Sequence, residues 1–410
     1  MQTVALSERK IIVFAGLRNA GKSSVMNAVA DQEVSIVSPV AGTTTDPVRK
    51  AMELIPYGPV ILTDTAGLDD DGTVGRLRVS SAQKILWQAD LIVYIIDGSA
   101  EFSEKDLSNL KLIKQSNTPC IGILNKADLP LQPGSTKPFI ENQISYISFN
   151  NQNGDKNALV HFIGANLPAE SADTLLGGML KRGDIVIMVV PIDLGAPKGR
   201  LIKPQVYAIR ESLDGDAVVI VCKDKELRSI ISRLNESPKL IITDSQAVMR
   251  VLPDVPKGTQ LTTFSILSAR FKGDLAVMVE GLKAIPELKD NDKILIAEAC
   301  THHEGADDIG RVKIPRWLTN FTKKNLEFEF LRGNDFPDEV GQYKLIVHCG
   351  ACMLTQKSMH NRLRITALTG TPLVNYGVLI SYLQGAMPTV IEPFPEAILA
   401  WNELPESAIY

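Results

Sequence analysis

The sequence predicts an α/β protein of three domains, and three observations predict it. At 410 residues the chain is too long for a single hydrophobic core. Short apolar runs that read as buried strands alternate with helical stretches along its whole length. Two Pro/Gly-containing breaks, at 171–184 and 253–263, divide those runs into three groups. The expected domain limits are 1–172, 180–255 and 260–410. A hydrophobic fraction of 45% and a charged fraction of 22% are ordinary for a soluble globular protein. The net charge of −4 and the lack of any Lys/Arg run argue against a nucleic-acid partner. No apolar run approaches the roughly 18 residues of a membrane span, and the start of the chain lacks an apolar signal region. Five cysteines without disulfide-scaffold spacing suit a reducing cytoplasm.

In the first group, Ile11–Ala15 reads as a buried strand and Ser24–Val29 as a helix. Between them stands Gly16-Leu-Arg-Asn-Ala-Gly21-Lys22-Ser23, the P-loop pattern in its required strand–loop–helix setting. Gly16, Asn19, Ala20, Gly21, Lys22, Ser23 and Ser24 are therefore expected around phosphate groups. Lys22 neutralises the β- and γ-phosphates, and the Ser23 hydroxyl faces Mg²⁺. The apolar run ending in Asp64-Thr-Ala-Gly67 supplies a carboxylate that reaches Mg²⁺ through water. It also supplies a Gly67 N–H that senses the γ-phosphate. Asn125-Lys126-Ala127-Asp128 follows the apolar run Cys120–Leu124. The Asp128 carboxylate accepts from both N1–H and N2–H₂ of guanine, whereas adenine presents an acceptor at N1. GTP is thus the expected nucleotide. Gly42-Thr43-Thr44-Thr45-Asp46 suits an effector switch, and 31–38 and 69–75 suit segments ordered by the γ-phosphate.

Leu68 stands where Ras-like proteins carry a water-orienting Gln, and Asn19 sits inside the P-loop. Both features resemble the potassium-dependent GTPases of the TrmE and Era families. That resemblance implies that Asn19 helps hold K⁺ in place of an arginine finger and that Thr44 ligates Mg²⁺. Ser148-Phe149-Asn150 stands where those families have Ser-Ala-Lys, with Ser148 at the base-binding position.

The second group alternates apolar runs at Ile185–Pro191, Ala217–Cys222 and Leu240–Thr243 with helical stretches at Lys203–Leu213 and Lys225–Leu234. It carries no cluster of titratable residues and no phosphate loop. A unit with no chemistry of its own is a candidate dimerisation domain, pairing through an open sheet edge. In the third group Ala269–Leu282 reads as an amphipathic helix. Lys293–Ala297, Leu326–Phe330 and Tyr343–Val347 read as strands, and Ser358–Leu368 and Tyr376–Leu383 as helices.

Three of the five cysteines and two of the five histidines lie in Cys300-Thr301-His302 and His348-Cys349-Gly350-Ala351-Cys352. Each segment follows a strand, where open α/β sheets bind ligands. Cys-x-x-Cys delivers two thiolates to one centre, and Cys300 adds a third. A three-thiolate iron–sulfur cluster leaves one iron corner for an imidazole, a carboxylate, water or a foreign ligand. A tetrahedral Cys₃His zinc site, a redox pair and buried inert thiols use the same residues. Glu304 and Asp307 are near enough in sequence to serve as a fourth ligand.

The combination of GTPase motifs, a plain α/β unit and Cys-x-His … His-Cys-x-x-Cys resembles the HydF family of FeFe-hydrogenase maturation GTPases. Forty-five residues separate His302 from His348, near the short end of that family's spacing. The resemblance implies a C-terminal α/β domain that binds a 4Fe–4S cluster through Cys300, Cys349 and Cys352. It gives His302 and His348 the roles of labile ligands or tuning hydrogen-bond donors. It further implies a homodimer that passes a two-iron unit to apo FeFe-hydrogenase, in company with radical-SAM maturation proteins. GTP hydrolysis would switch domain contacts. The competing readings are a regulatory GTPase with structural zinc and an RNA-associated GTPase of the TrmE/Era type.

Overall fold

The computed structural model describes residues 8–31, 38–39, 48–65, 85–169, 174–191, 201–299, 308–333, 336–337 and 339–409. By contacts the chain divides into two units, Met1–Glu170 and Ser171–Tyr410.

The first unit is built on a seven-stranded sheet of order β2-β3-β4-β1-β5-β6-β7. Its strands are Lys10–Gly16 (β1), Ser38–Pro39 (β2), Arg49–Leu54 (β3), Gly58–Asp64 (β4), Leu91–Asp97 (β5), Cys120–Asn125 (β6) and Tyr146–Ser148 (β7). Only β2–β3 and β3–β4 pair antiparallel. A parallel sheet is covered on both faces, so its central strands are apolar throughout. Alternation then assigns each residue to one of two cores. Ile12 and Phe14 pack with the helices Lys22–Ala30 and Lys156–Ala165. Val13 and Ala15 pack with the helix Glu104–Gln115 through Leu110 and Ile113.

The second unit holds two four-stranded sheets, of order β11-β10-β8-β9 and β13-β12-β14-β15. The first contains Ile185–Val189 (β8), Val218–Cys222 (β9), Leu240–Thr243 (β10) and Gln260–Thr263 (β11). The second contains Lys293–Glu298 (β12), Glu327–Arg332 (β13), Leu345–His348 (β14) and Leu373–Asn375 (β15). Every pairing in both sheets is parallel. One buried core runs through both, from Leu175 to Ala408.

Five features of the second unit differ from expectation. The break at 253–263 contains β11, whose Gln260–Thr263 pairs with Leu240–Thr243. Its Gln-Leu-Thr-Thr composition gives no apolar run to read. The single helix expected over Ala269–Leu282 is two, Phe264–Lys272 and Leu275–Glu280. Gly273 leaves helical geometry there, and the Asp274 side chain accepts from Val277 N–H to start the second helix. The helix expected over Lys225–Leu234 is a 3₁₀ turn followed by Leu227–Ile231. Strand β15 and the helix Ile314–Thr322 were not anticipated from the pattern.

Gly281 is required by packing rather than by dihedral. A Cβ there would press on the backbone carbonyl of Leu373 in β15. Gly281→Ala is expected to cost about 1–3 kcal/mol by overpacking. At Gly341 the nearest atom to an added Cβ is 3.8 Å away, so Gly341→Ala should leave the melting midpoint nearly unchanged. Thermal unfolding of the two variants side by side checks the pair.

Candidate functional site

The nucleotide motifs converge at the carboxyl ends of β1, β4 and β6. Gly16 ends β1 with φ +149, where an added Cβ would meet the Ile95 carbonyl. Asn19 (φ +63) and Gly21 (φ +94) continue the left-handed turns that aim backbone N–H groups into the loop. Ala20 is buried, and Ser23 and Ser24 are exposed at the start of the helix. Lys22 Nζ donates to the Leu17 carbonyl at 2.8 Å, lying back over the loop that phosphates would enter.

The Ser23 hydroxyl donates to Asp64 Oδ2. Burial raises the Asp64 carboxyl above its ordinary range, partly opposed by Ser23 and Lys22. Asp64 Oδ1 is buried without a hydrogen-bond partner, which fits a carboxylate waiting for a magnesium-bound water. Asn125 Nδ2 donates to the Ala20 carbonyl at 2.8 Å and so ties the base-reading loop to the P-loop. An added Cβ on Gly21 would strike that amide. Lys126, at φ +58, pairs with Asp97 at 2.5 Å. Ala127 N–H donates to the Phe149 carbonyl at 3.2 Å, joining the loops that carry Asp128 and Ser148. Asp128 and Ser148 are both exposed at the rim, open to a base. These residues fit GTP with Mg²⁺. Thr44 and Gly67 lie outside the described residues.

The cysteine segment sits at the carboxyl edge of the last sheet. His348 ends β14, and Ala351 takes a left-handed turn (φ +53) between the two thiols. Cys349 N–H donates to the Ala297 carbonyl at 3.0 Å. In return Ala299 N–H donates to the Cys349 sulfur at 3.2 Å. A backbone N–H on sulfur favours the thiolate, and hence metal ligation. Burial raises the Cys352 thiol, with Lys203 and Lys272 pulling it back. Cys300 and His302, with Glu304 and Asp307, fall outside the described residues. Among the described residues no group of three or more His, Cys, Asp or Glu gathers for a metal. The two thiols and the N–H donor fit the sulfur side of a cluster.

His348 fits less well as a ligand. It is wholly buried, with Nδ1 at 2.7 Å from the Cys349 carbonyl and Nε2 at 2.8 Å from Arg362 Nη1. Arginine only donates, so Nε2 must accept and Nδ1 must carry the proton. Both nitrogens are engaged. Burial, and then the Arg362 charge, push its pKa down to about 3, although the Cys349 carbonyl raises it. The ring is therefore neutral at physiological pH.

Several neighbours escape sequence reading. Glu298, two residues before Cys300, is buried with Oε2 at 3.5 Å from Arg332 and 4.0 Å from Arg311. Tyr376 OH donates to Glu298 Oε1 at 3.4 Å. Burial, then Cys349, Glu298 and Asp308, raise that phenol far above its usual range. The one available signal was position, since Glu298 and Arg332 both end strands.

Three family models match the chain. "Hydrogen maturase F tetramerization domain" covers residues 276–393, and "Hydrogen maturase F dimerization domain" covers 175–273. "50S ribosome-binding GTPase" covers 11–126. The tRNA modification GTPase MnmE of Lactococcus lactis subsp. lactis is 41% identical over 123 residues, 30% of this chain and 26% of that protein. MnmE of Desulfotalea psychrophila is 35% identical over 125 residues, with the same shares. The chain thus spans about a quarter of the length of these relatives, and the match covers its GTPase part. The G domain of the T. maritima FeoB iron transporter is 18% identical, covering 38% of this chain and 97% of that one. The TM-score is 0.30.

Two outcomes follow from the nucleotide site. Asp128→Asn should lose GTP binding by at least tenfold and gain xanthosine triphosphate, whose C2 oxygen accepts from an amide; competition binding reads both. Because the Asp64 pKa is raised, its carboxylate takes up a proton as pH falls while ordinary carboxylates are still charged. Mg²⁺-dependent nucleotide affinity should therefore drop in mildly acidic buffer, as a titration against pH would show.

Proposed function

We propose that this chain, which belongs to the hydrogen maturase F family, is a GTP-hydrolysing scaffold for a 4Fe–4S cluster. In this reading it carries a two-iron precursor to apo FeFe-hydrogenase. The family makes it a hydrogenase-maturation GTPase that self-associates. The finer reading rests chiefly on one observation. Ala299 N–H bonds the Cys349 sulfur, so the backbone that leads directly into Cys300 touches the Cys349-Gly350-Ala351-Cys352 loop. Three thiolates, from Cys300, Cys349 and Cys352, then hold the cluster and leave one iron corner exchangeable. When bound, the cluster supplies an open coordination position for cargo.

The GTPase unit acts as the switch. Lys22 neutralises phosphate charge, Ser23 and Thr44 hold Mg²⁺, and Asp64 holds its water. Gly67 senses the γ-phosphate, and Asn19 holds a potassium ion. Apo hydrogenase and the radical-SAM maturation proteins are the proposed partners. The proposed setting is the cytoplasm; among the described residues no helix is long and apolar enough to cross a membrane.

A homodimer would form along β9. That strand ends its sheet, and Val218 and Val221 are 50% and 46% exposed on it. A second copy pairing there would satisfy the open ladder. We place the limit between the dimerisation sheet and the cluster domain near Gly273, because β11 belongs to the dimerisation sheet.

Anaerobic reconstitution tests the scaffold. About four iron and four sulfide per chain are expected, lost when Cys300, Cys349 and Cys352 are all replaced by alanine. Zinc without iron or sulfide would replace the scaffold with a structural zinc site. For the cation, GTP turnover should be at least tenfold faster in potassium than in sodium buffer. Equal rates would remove Asn19 from the mechanism.

A further inference from the structure

We infer that Arg362 is a positioning residue for the cluster loop, locking His348 as a buttress of Cys349 and withholding it from iron. The inference rests on the cluster reading above, but its geometry is a property of the protein alone. Arg362 lies on the helix Gln356–Thr369 and is only 3% exposed. Its Nη1 donates to His348 Nε2 at 2.8 Å, and its Nη2 donates to the Gly333 carbonyl at 3.1 Å. The guanidinium also sits 5.0 Å over the Phe336 ring.

One planar fork thus spans two strand ends, His348 of β14 and the residue after Arg332 of β13. Gly333 N–H in turn donates to the Glu298 carbonyl at 2.8 Å, at the end of β12. A continuous chain of contacts therefore runs from Glu298, two residues before Cys300, through Gly333, Arg362 and His348 to the Cys349 carbonyl. Lysine could not reproduce it, because a single ammonium lacks the rigid two-pronged geometry.

The consequence for the imidazole is stereochemical. A histidine ligates through a ring-nitrogen lone pair. In His348 the Nε2 pair accepts from Arg362, and Nδ1 spends its proton on the Cys349 carbonyl. Coordination through Nε2 would break the bond from Arg362 and leave the buried Nη1 without its imidazole acceptor, a costly exchange. The open iron corner then falls to His302, Glu304, Asp307, water or the cargo itself. His348 acts through its hydrogen bond, setting the orientation of the peptide that follows Cys349.

Two measurements on the full chain test this. In the cluster-free protein, NMR of isotope-labelled histidine should show His348 neutral with its proton on Nδ1. Arg362→Lys should keep that form, and Arg362→Leu should relax it to a mixture. A proton on Nε2 in the parent chain would overturn the lock, whether or not the protein binds iron. In the reconstituted, reduced protein, pulsed EPR should show no directly bonded nitrogen that depends on His348. Arg362→Leu should gain such a coupling, as the freed Nε2 reaches for metal. A nitrogen coupling in the parent that vanishes in His348→Gln would make His348 a ligand and sink the proposal. Failure to take up iron and sulfide would count against the scaffold reading alone, leaving the tautomer result to decide this one. If Arg362→Leu does not fold, the parent, the Lys variant and His348→Gln still decide it.

Discussion

The register between β12 and β14 governs the chemistry of the second unit. Pairing of Ala297 with His348 places Cys349 N–H on the Ala297 carbonyl. The same pairing brings Ala299 N–H to the Cys349 sulfur at 3.2 Å. A slip of one residue would turn every side chain of the strand to the other face and part Ala299 from Cys349. Register is held by burial: Leu345, Ile346 and Val347 are all inaccessible to solvent, as are Ile294 and Ile296 opposite them. The apolar core thus pins a polar site. The first unit obeys the same rule, with Asn125 at the end of β6 reaching back to Ala20.

Buried charge at the cysteine edge is tolerated because its partners are close. Glu298 lies between Arg311 and Arg332, and Arg362 spends its donors on an imidazole and a carbonyl. Such groups add little net stability over apolar replacements, and removing a single partner costs much more. Their value is geometric, since each fixes a strand end relative to its neighbour. At Cys352, Lys203 and Lys272 oppose the rise that burial imposes on the thiol.

Much of this was legible in the sequence, for local reasons. Gly16, Gly21, Lys22 and Ser23 announce a phosphate loop because their dihedral freedom and charge serve one task at one spacing. Asp64 and Asn125 follow apolar runs that could only be strands. The three-domain α/β reading came from the alternation of such runs. Strand β11 was hidden because Thr262 and Thr263 are buried without looking apolar. The role of His348 was hidden for another reason. Its partner Arg362 comes fourteen residues later on a helix, and nothing in the local pattern says which nitrogen a distant guanidinium will occupy. Sequence placed a histidine beside a cysteine; only packing decides whether its lone pair is spare.

The continuous core from Leu175 to Ala408 has a consequence for how the second unit behaves. Two sheets that share one interior cannot melt independently. The β9 edge and the Cys349–Cys352 loop therefore belong to one cooperative body. In the proposed assembly, a load on the β9 edge would reach the Cys349–Cys352 loop through this shared interior.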